Sequence, residues 1–302
     1  MRELYPVAVV TDSAAGLPEE LVGQYRIGVV PLVVQLGGRI YDSEELGIDA
    51  FYQLLRDPAS LPATTSAPSI GNFLAMYERV ARWAKAVVSV HVAGEQSGTC
   101  NVARLAGEHS SIPVQVIDTG TTAMAEGFVA LEAARAALEA CSLSEVVART
   151  RAVVPRVELF ALLESVDYAV RGGRLASAAR LVNSILKIQP VVSVKDNRLA
   201  LLTQCRRRAT GLRRLVEKLQ ARVGERPLHL AVHYAEDELE GEGQQLLATL
   251  RARFNCVESF LTRVPMALGV HAGPGSLGIG YYAEGHAASP TTWRERIGVL
   301  LG

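Results

Sequence analysis

The sequence predicts an α/β protein of two lobes: a mostly parallel sheet flanked by helices, followed by a second α/β lobe. Three observations predict it. Short apolar runs alternate with longer stretches of helical periodicity. Several of those runs, such as Val7-Ala8-Val9-Val10, are apolar without interruption, as strands buried on both faces are. The pattern then changes near Val153, in a chain whose 302 residues suffice for two such units.

The elements follow in order. Val7 to Val10 is the first strand, and Thr11-Asp12-Ser13 closes it. Gly16 and Pro18 mark a helix start. Ile27 to Val34 reads as one strand, Gly37-Gly38 as a turn, and Asp49 to Leu55 as a capped amphipathic helix. Ala63 to Ser69 reads as a polar loop leading into a helix that ends near Arg82. Val87 to Val92 is a strand, Gly94 to Thr99 a loop, and a helix starts near Cys100. Val114 to Asp118 is a strand, and an alanine-rich helix runs from about Ala123 to Glu139.

Residues 1–155 form the first lobe on this reading and residues 156–285 the second. Val157 to Leu163 is its first strand, and Arg171-Gly172-Gly173-Arg174 interrupts two helical segments. Val191 to Val194 and Leu199 to Gln204 form a hairpin around Lys195-Asp196-Asn197. A helix over about 209–222, a strand from His229 to Tyr234, another helix and a strand from Val257 to Thr262 restore the alternation. Gly278 to Tyr282 is the last strand. Residues 286–302 read as an appended tail with a short helix.

Composition narrows the function. With 49% hydrophobic and 21% charged residues the chain is built to fold rather than to stay disordered. Its 31 basic and 31 acidic side chains cancel, which argues against nucleic acid as a partner. The densest positive stretch is Arg206-Arg207-Arg208 with Arg213, Arg214 and Lys218. It is either a solvated face or a docking surface for an acidic partner or a phosphate. A DNA-binding reading of it would need affinity that falls with salt. Cys100, Cys141, Cys205 and Cys256 form no CxxC pair, so no metal or redox centre is expected. Free thiols fit a reducing, cytoplasmic setting. The first apolar run is too short for a leader or a transmembrane segment.

Three polar clusters carry the candidate chemistry: Thr65-Ser66, Ser97-Gly98-Thr99, and His271-Ala272-Gly273-Pro274-Gly275. Each lies between elements, where open parallel sheets hold their ligands. Hydroxyls there, with backbone N–H groups at helix starts, suit an anion. Taken singly, Thr65, Ser66 and Ser97 also read as helix caps, His271 as a structural histidine, and Gly273-Pro274-Gly275 as a turn. No GxGxxG or Walker motif is visible. A catalytic alternative is a serine hydrolase using Ser97 with His271 and Asp118, although Gly94-Glu95-Gln96-Ser97-Gly98 misses the nucleophile-elbow spacing by one residue.

Taken in order, seven motifs resemble the DegV family of bacterial fatty-acid-binding proteins. They are Thr11-Asp12-Ser13, Thr65-Ser66-Ala67-Pro68-Ser69, Ser97-Gly98-Thr99, Val116-Ile117-Asp118, Arg171-Gly172-Gly173-Arg174-Leu175, Leu186-Lys187-Ile188-Gln189-Pro190 and His271-Ala272-Gly273-Pro274-Gly275. The resemblance spans about residues 6–284. It implies a two-lobed DegV-like fold with a lipid channel between the lobes, and a carrier that is not catalytic alone. Thr65, Ser97 and His271 would hold the carboxylate of a long-chain fatty acid such as palmitate or stearate, beside Ser66, Gly98 and Thr99. A separate ATP-dependent fatty acid kinase subunit would phosphorylate that carboxylate, and the acyl phosphate would enter phospholipid synthesis. Arg174 and Arg206 would serve kinase docking and phosphoryl transfer. Transient membrane contact is left open. Two departures bear on acyl preference: Ala93-Gly94 replaces a serine pair common in the family, and Gln189 replaces its usual lysine. Burial of about sixteen carbons at roughly 0.8 kcal/mol each outweighs head-group hydrogen bonds of about 1.5–3 kcal/mol. The tail would therefore supply affinity, and the polar residues orientation.

Overall fold

The computed structural model describes residues 4–41, 46–57, 63–174 and 188–285. The expected tail at 286–302, and the Leu175 and Leu186-Lys187 parts of the motif series, lie outside the described residues.

The first half runs β1 (Ala8–Asp12), α1 (Glu19–Tyr25), β2 (Gly28–Val30), β3 (Val33–Leu36), β4 (Arg39–Tyr41), α2 (Ile48–Arg56), β5 (Ala63–Ser66) and α3 (Ile70–Ala81). It continues with β6 (Val87–His91), α4 (Thr99–Glu108), β7 (Val114–Asp118), α5 (Met124–Leu138) and α6 (Leu143–Val153). The strands β2-β1-β6-β7 form the expected parallel sheet. The predicted strand over 27–34 is broken in two. Pro31 has no N–H with which to extend the β2–β1 ladder, and the chain leaves this sheet after Val30 and starts again at Val33. Its second part joins a small antiparallel sheet, β4-β3-β5. The polar stretch read as a loop thus supplies β5, and Thr65 and Ser66 are strand residues rather than caps. The cap of α3 is Ser69, whose Oγ accepts from Asn72 N at 3.1 Å. Asp49 is likewise not a cap: it lies in the first turn of α2 and pairs with Arg263 at 2.7 Å.

The second half runs β8 (Val157–Leu162), α7 (Asp167–Arg171), β9 (Gln189–Lys195), β10 (Arg198–Cys205), α8 (Arg208–Val223), β11 (Leu228–Tyr234), α9 (Glu240–Arg253), β12 (Cys256–Arg263), α10 (Met266–Ala272) and β13 (Leu277–Ala283). Its six strands are ordered β10-β9-β8-β13-β11-β12. The β11–β12 pair is parallel and the other pairs antiparallel. The predicted hairpin turns at Asp196 and Asn197, both in the left-handed region (φ 49° and 63°), as a two-residue turn between twisted strands requires.

Two helices escaped the sequence reading. The first is α6, which opens with a capping box between Ser142 and Glu145. The second is α10, which begins directly after Pro265 and carries His271 in its last turn.

Helix α5 explains how the halves hold together. Twelve of its fifteen residues are buried, and they go all the way round it. One side packs on β1 and β6, the other on β8, β11 and β13. A helix apolar on every face belongs inside a core, and this one is shared by both sheets.

Candidate functional site

A cavity of about 140 Å³ lies where the two sheets meet. Loops at the carboxyl ends of β1, β6 and β7 form one wall through Ala14, Val92 and Thr122. This is where parallel sheets place ligands, because the loops there connect to helix starts. The second wall is strand β8 and the residue after it. Leu159, Ala161 and Leu163 face the cavity, while Phe160 and Leu162 point the other way into the core beneath α8. The third wall is α10 with Thr65 of β5.

Asp12 fixes the first wall. Its Oδ1 accepts from Ala14 N at 2.9 Å and its Oδ2 from Val92 N at 3.2 Å, which ties the loop after β1 to the end of β6. Asp118 does the same for β7, accepting from Gly94 N at 3.1 Å and Gly120 N at 2.8 Å. A Cβ on residue 94 would stand 2.6 Å from Asp118 Oδ2, so a side chain here would require this carboxylate to shift. The tip of the β9–β10 hairpin docks here as well. Asn197 Nδ2 donates to Asp118 at 3.2 Å, Glu95 N donates to Asn197 Oδ1 at 3.2 Å, and Asn197 N donates to Gly120 O at 2.9 Å.

The polar side chains in the cavity wall each have close partners. Thr65 Oγ1 and His271 Nε2 are 2.7 Å apart. Arg174 donates from Nη1 to Gly172 O at 2.6 Å and from Nε to Gln96 O at 3.3 Å, beside Ser97. Ser97 Oγ is 2.7 Å from Thr99 Oγ1 and accepts from Thr99 N at 3.3 Å. Burial, and then the charge of Arg174, push the imidazole of His271 down to about 4, so the ring is neutral.

Of the residues singled out from sequence, Thr65, Ser97, Arg174 and His271 all line this one cavity. Ser66, Gly98, Thr99 and Arg206 do not. Ser66 is exposed on β5 next to half-buried Thr65, and Gly98 is the exposed residue that opens α4. Thr99 is buried beneath Ser97, and Arg206 is exposed between β10 and α8. Arg207 directly precedes α8, on which Arg214 and Lys218 lie. Arg213 and Arg214 share Glu217, and Arg208 pairs with Glu242, which offsets part of the positive stretch. Sequence reasoning missed Asn197, Gln96 and the two ties on Gly275, whose carbonyl accepts from Arg208 at 2.7 Å and whose N–H donates to Glu236 at 3.0 Å. The hairpin turn was the available signal for Asn197. Gln96 receives Arg174 through its backbone carbonyl, which leaves no trace in residue type.

The hydrolase alternative fails on these partners. Ser97 bonds Thr99, His271 bonds Thr65, and Asp118 is taken up by backbone amides and Asn197. A hydroxyl–imidazole–carboxylate array exists elsewhere: Ser89 Oγ is 2.7 Å from His91 Nε2, and His91 Nδ1 is 2.9 Å from Asp12 Oδ2. All three residues are sealed in the core, and Ser89 also bonds Tyr77 at 3.0 Å, so no substrate reaches it. Among the described residues no cluster suits a metal ion, and no helix is long and apolar enough to cross a membrane.

The profile of the DegV family, described as uncharacterised proteins, matches residues 6–284. The chain belongs to the DegV family. A DegV domain-containing protein of Streptomyces coelicolor is 33% identical over 276 residues, covering 90% of this chain and 97% of the relative. Protein DegV of Bacillus subtilis is 31% identical, covering 90% and 98%. Among solved structures, a DegV family protein from Thermus thermophilus, described by its fatty acid binding, superposes with a TM-score of 0.84 at 26% identity, covering 92% of this chain and all of the other. DegV of Bacillus subtilis, described as a fatty acid binding protein, gives 0.82 at 29% identity, covering 93% of this chain and all of the other. The α/β architecture expected from the sequence is therefore that of the solved DegV proteins.

Proposed function

We propose that this DegV protein is a fatty-acid carrier. Thr65, Ser97 and His271 hold the carboxylate of a long-chain acid such as palmitate or stearate, and the cavity between the proposed lobes, 1–155 and 156–285, houses the chain. The observation that carries the reading is the composition of one cavity. Hydroxyls and a neutral imidazole from three distant segments share it with walls that are otherwise mostly apolar. A carboxylate accepts hydrogen bonds only, and these groups can all donate. The fatty acid binding described for the Thermus thermophilus and Bacillus subtilis relatives supports the same ligand class.

In this reading the protein does no chemistry alone. It presents the carboxylate to a separate ATP-dependent kinase subunit, which forms an acyl phosphate for phospholipid synthesis. Arg174 and exposed Arg206 serve docking and phosphoryl transfer.

Mass spectrometry of purified, then denatured protein tests the first half. Release of a long-chain fatty acid is expected. Absence of lipid together with no uptake of added palmitate overturns the reading. For the second half, Arg174→Ala is expected to keep palmitate but to lose acyl phosphate formation with ATP and the partner. An emptied cavity in that variant would reject this division of roles.

A further inference from the structure

Gly172 has a backbone that any residue can adopt, with φ −73° and ψ −3° at the end of α7. Its N–H is already satisfied by Tyr168 O at 2.9 Å. Nothing in its own conformation calls for glycine. The imidazole of His271 does. A Cβ on residue 172 would stand 2.1 Å from His271 Nδ1 and 2.7 Å from its Cε1.

Moving the ring away to make room would break its contacts on the other sides. On its far edge Nε2 is held 2.7 Å from Thr65. Its helix α10 is wedged by two more close approaches. A Cβ on Gly269 would stand 2.5 Å from the Tyr52 hydroxyl, and one on Gly273 (φ +76°) 2.3 Å from the Tyr168 ring.

The seat also decides where the ring carries its proton. Nδ1 is buried against Gly172 and has no hydrogen-bond partner among the described residues. A proton there would be a buried donor with nothing to receive it, the rarer and costlier kind of unsatisfied group. A proton on Nε2 is received by Thr65 Oγ1. The Thr65 hydroxyl then points its own proton elsewhere, and the cavity is where an acceptor would sit.

We propose that Gly172 is a positioning residue for the head-group site: by carrying no side chain it seats the His271 imidazole and keeps the ring's one proton on Nε2, facing Thr65. This rests on the fatty-acid reading, because the ligand served by that arrangement is an acceptor-only carboxylate. The turn that carries Arg174 is thereby in direct contact with the group that orients the ligand, since Gly172 O also receives the Arg174 guanidinium.

The test is a double-mutant cycle on palmitate binding, with imidazole ¹⁵N shifts of His271 recorded on the unliganded protein. Gly172→Ala is expected to weaken palmitate by about ten-fold or more, the loss of one charge-assisted hydrogen bond. In a His271→Ala background the same substitution is expected to change affinity by less than about two-fold, because no ring remains to displace. The wild-type shifts are expected to report the Nε2–H form, and Gly172→Ala to lose that signature. Wild-type affinity in Gly172→Ala, an equal loss in both backgrounds, or an Nδ1–H ring in the wild type would each overturn the proposal. Wild-type protein that takes up no palmitate would overturn the carrier reading instead, and the ligand-free shifts would still judge Gly172.

Discussion

Thr65 and His271 stand 206 positions apart and share a hydrogen bond of 2.7 Å. Residue type and motif order were enough to nominate them, along with Ser97 and Arg174, because hydroxyls, imidazole and guanidinium advertise their chemistry. Gly172 shows what residue type hides. It stood in the sequence as part of a Gly-Gly pair, and only the placement of the His271 ring reveals why it is glycine. Gly94 likewise lies close to a distant group, the Asp118 carboxylate from another strand. Side-chain chemistry is local information, whereas a forbidden Cβ depends on a neighbour from a distant segment. For the head group itself, Ser97→Ala is expected to weaken palmitate binding by roughly ten- to a hundred-fold, at about 1.5–3 kcal/mol per hydrogen bond to a charged group, and His271→Ala to weaken it by freeing the Thr65 hydroxyl that the ring orients. Titration of delipidated protein measures this, and unchanged affinity in both variants would remove these residues from the site.

At the scale of elements, periodicity served well where burial is uniform. Strands β6, β8 and β11 lie close to their expected positions because each is a mostly buried run inside a sheet. It failed where the partner decides. Strand β5, Ala63-Thr64-Thr65-Ser66, is polar enough to read as a loop, and it is a strand because β3 offers it an edge. Helix α10 is short and rich in small residues, so no amphipathic stripe marks it, although Pro265 before it is a start signal. The hairpin of β9 and β10 was legible, but not that its tip is a latch onto the opposite sheet. Asn197→Ala removes the side-chain bonds to Asp118 and Glu95 while keeping a residue at φ 63° that alanine tolerates poorly. A loss of about 1–3 kcal/mol in unfolding free energy is expected from chemical denaturation. An unchanged midpoint would show that the latch contributes nothing to stability.

At the scale of the whole molecule, buried histidines set how stability follows pH. His229 stacks on Tyr282, with Nδ1 2.6 Å from Glu258 and Nε2 3.0 Å from Glu284. Burial disfavours its charge, but the two carboxylates outweigh burial and raise it above the ordinary 6.5. Folding therefore favours protonated His229. Its contribution is fully present below 6.5 and is lost as pH rises through the raised value. His233 runs the other way. Burial holds it down at about 4, so the unfolded chain takes up a proton that the folded one refuses, and stability falls as pH drops from 6.5 toward 4. In thermal melts across pH, His229→Gln is expected to flatten the alkaline decline and leave the acidic one. A decline that persists unchanged in this variant would assign it to another group. A last consequence comes from α5, whose Met124, Phe128 and Leu131 have no exposed surface because both sheets cover them. Prising the halves apart like a shell would bare each of these at about 1.5–3 kcal/mol, against a total stability of only about 5–15 kcal/mol. The two sheets are thus joined along a spine that stays shut, and under the proposed function a ligand would enter past the edge of the cavity rather than by a parting of the halves.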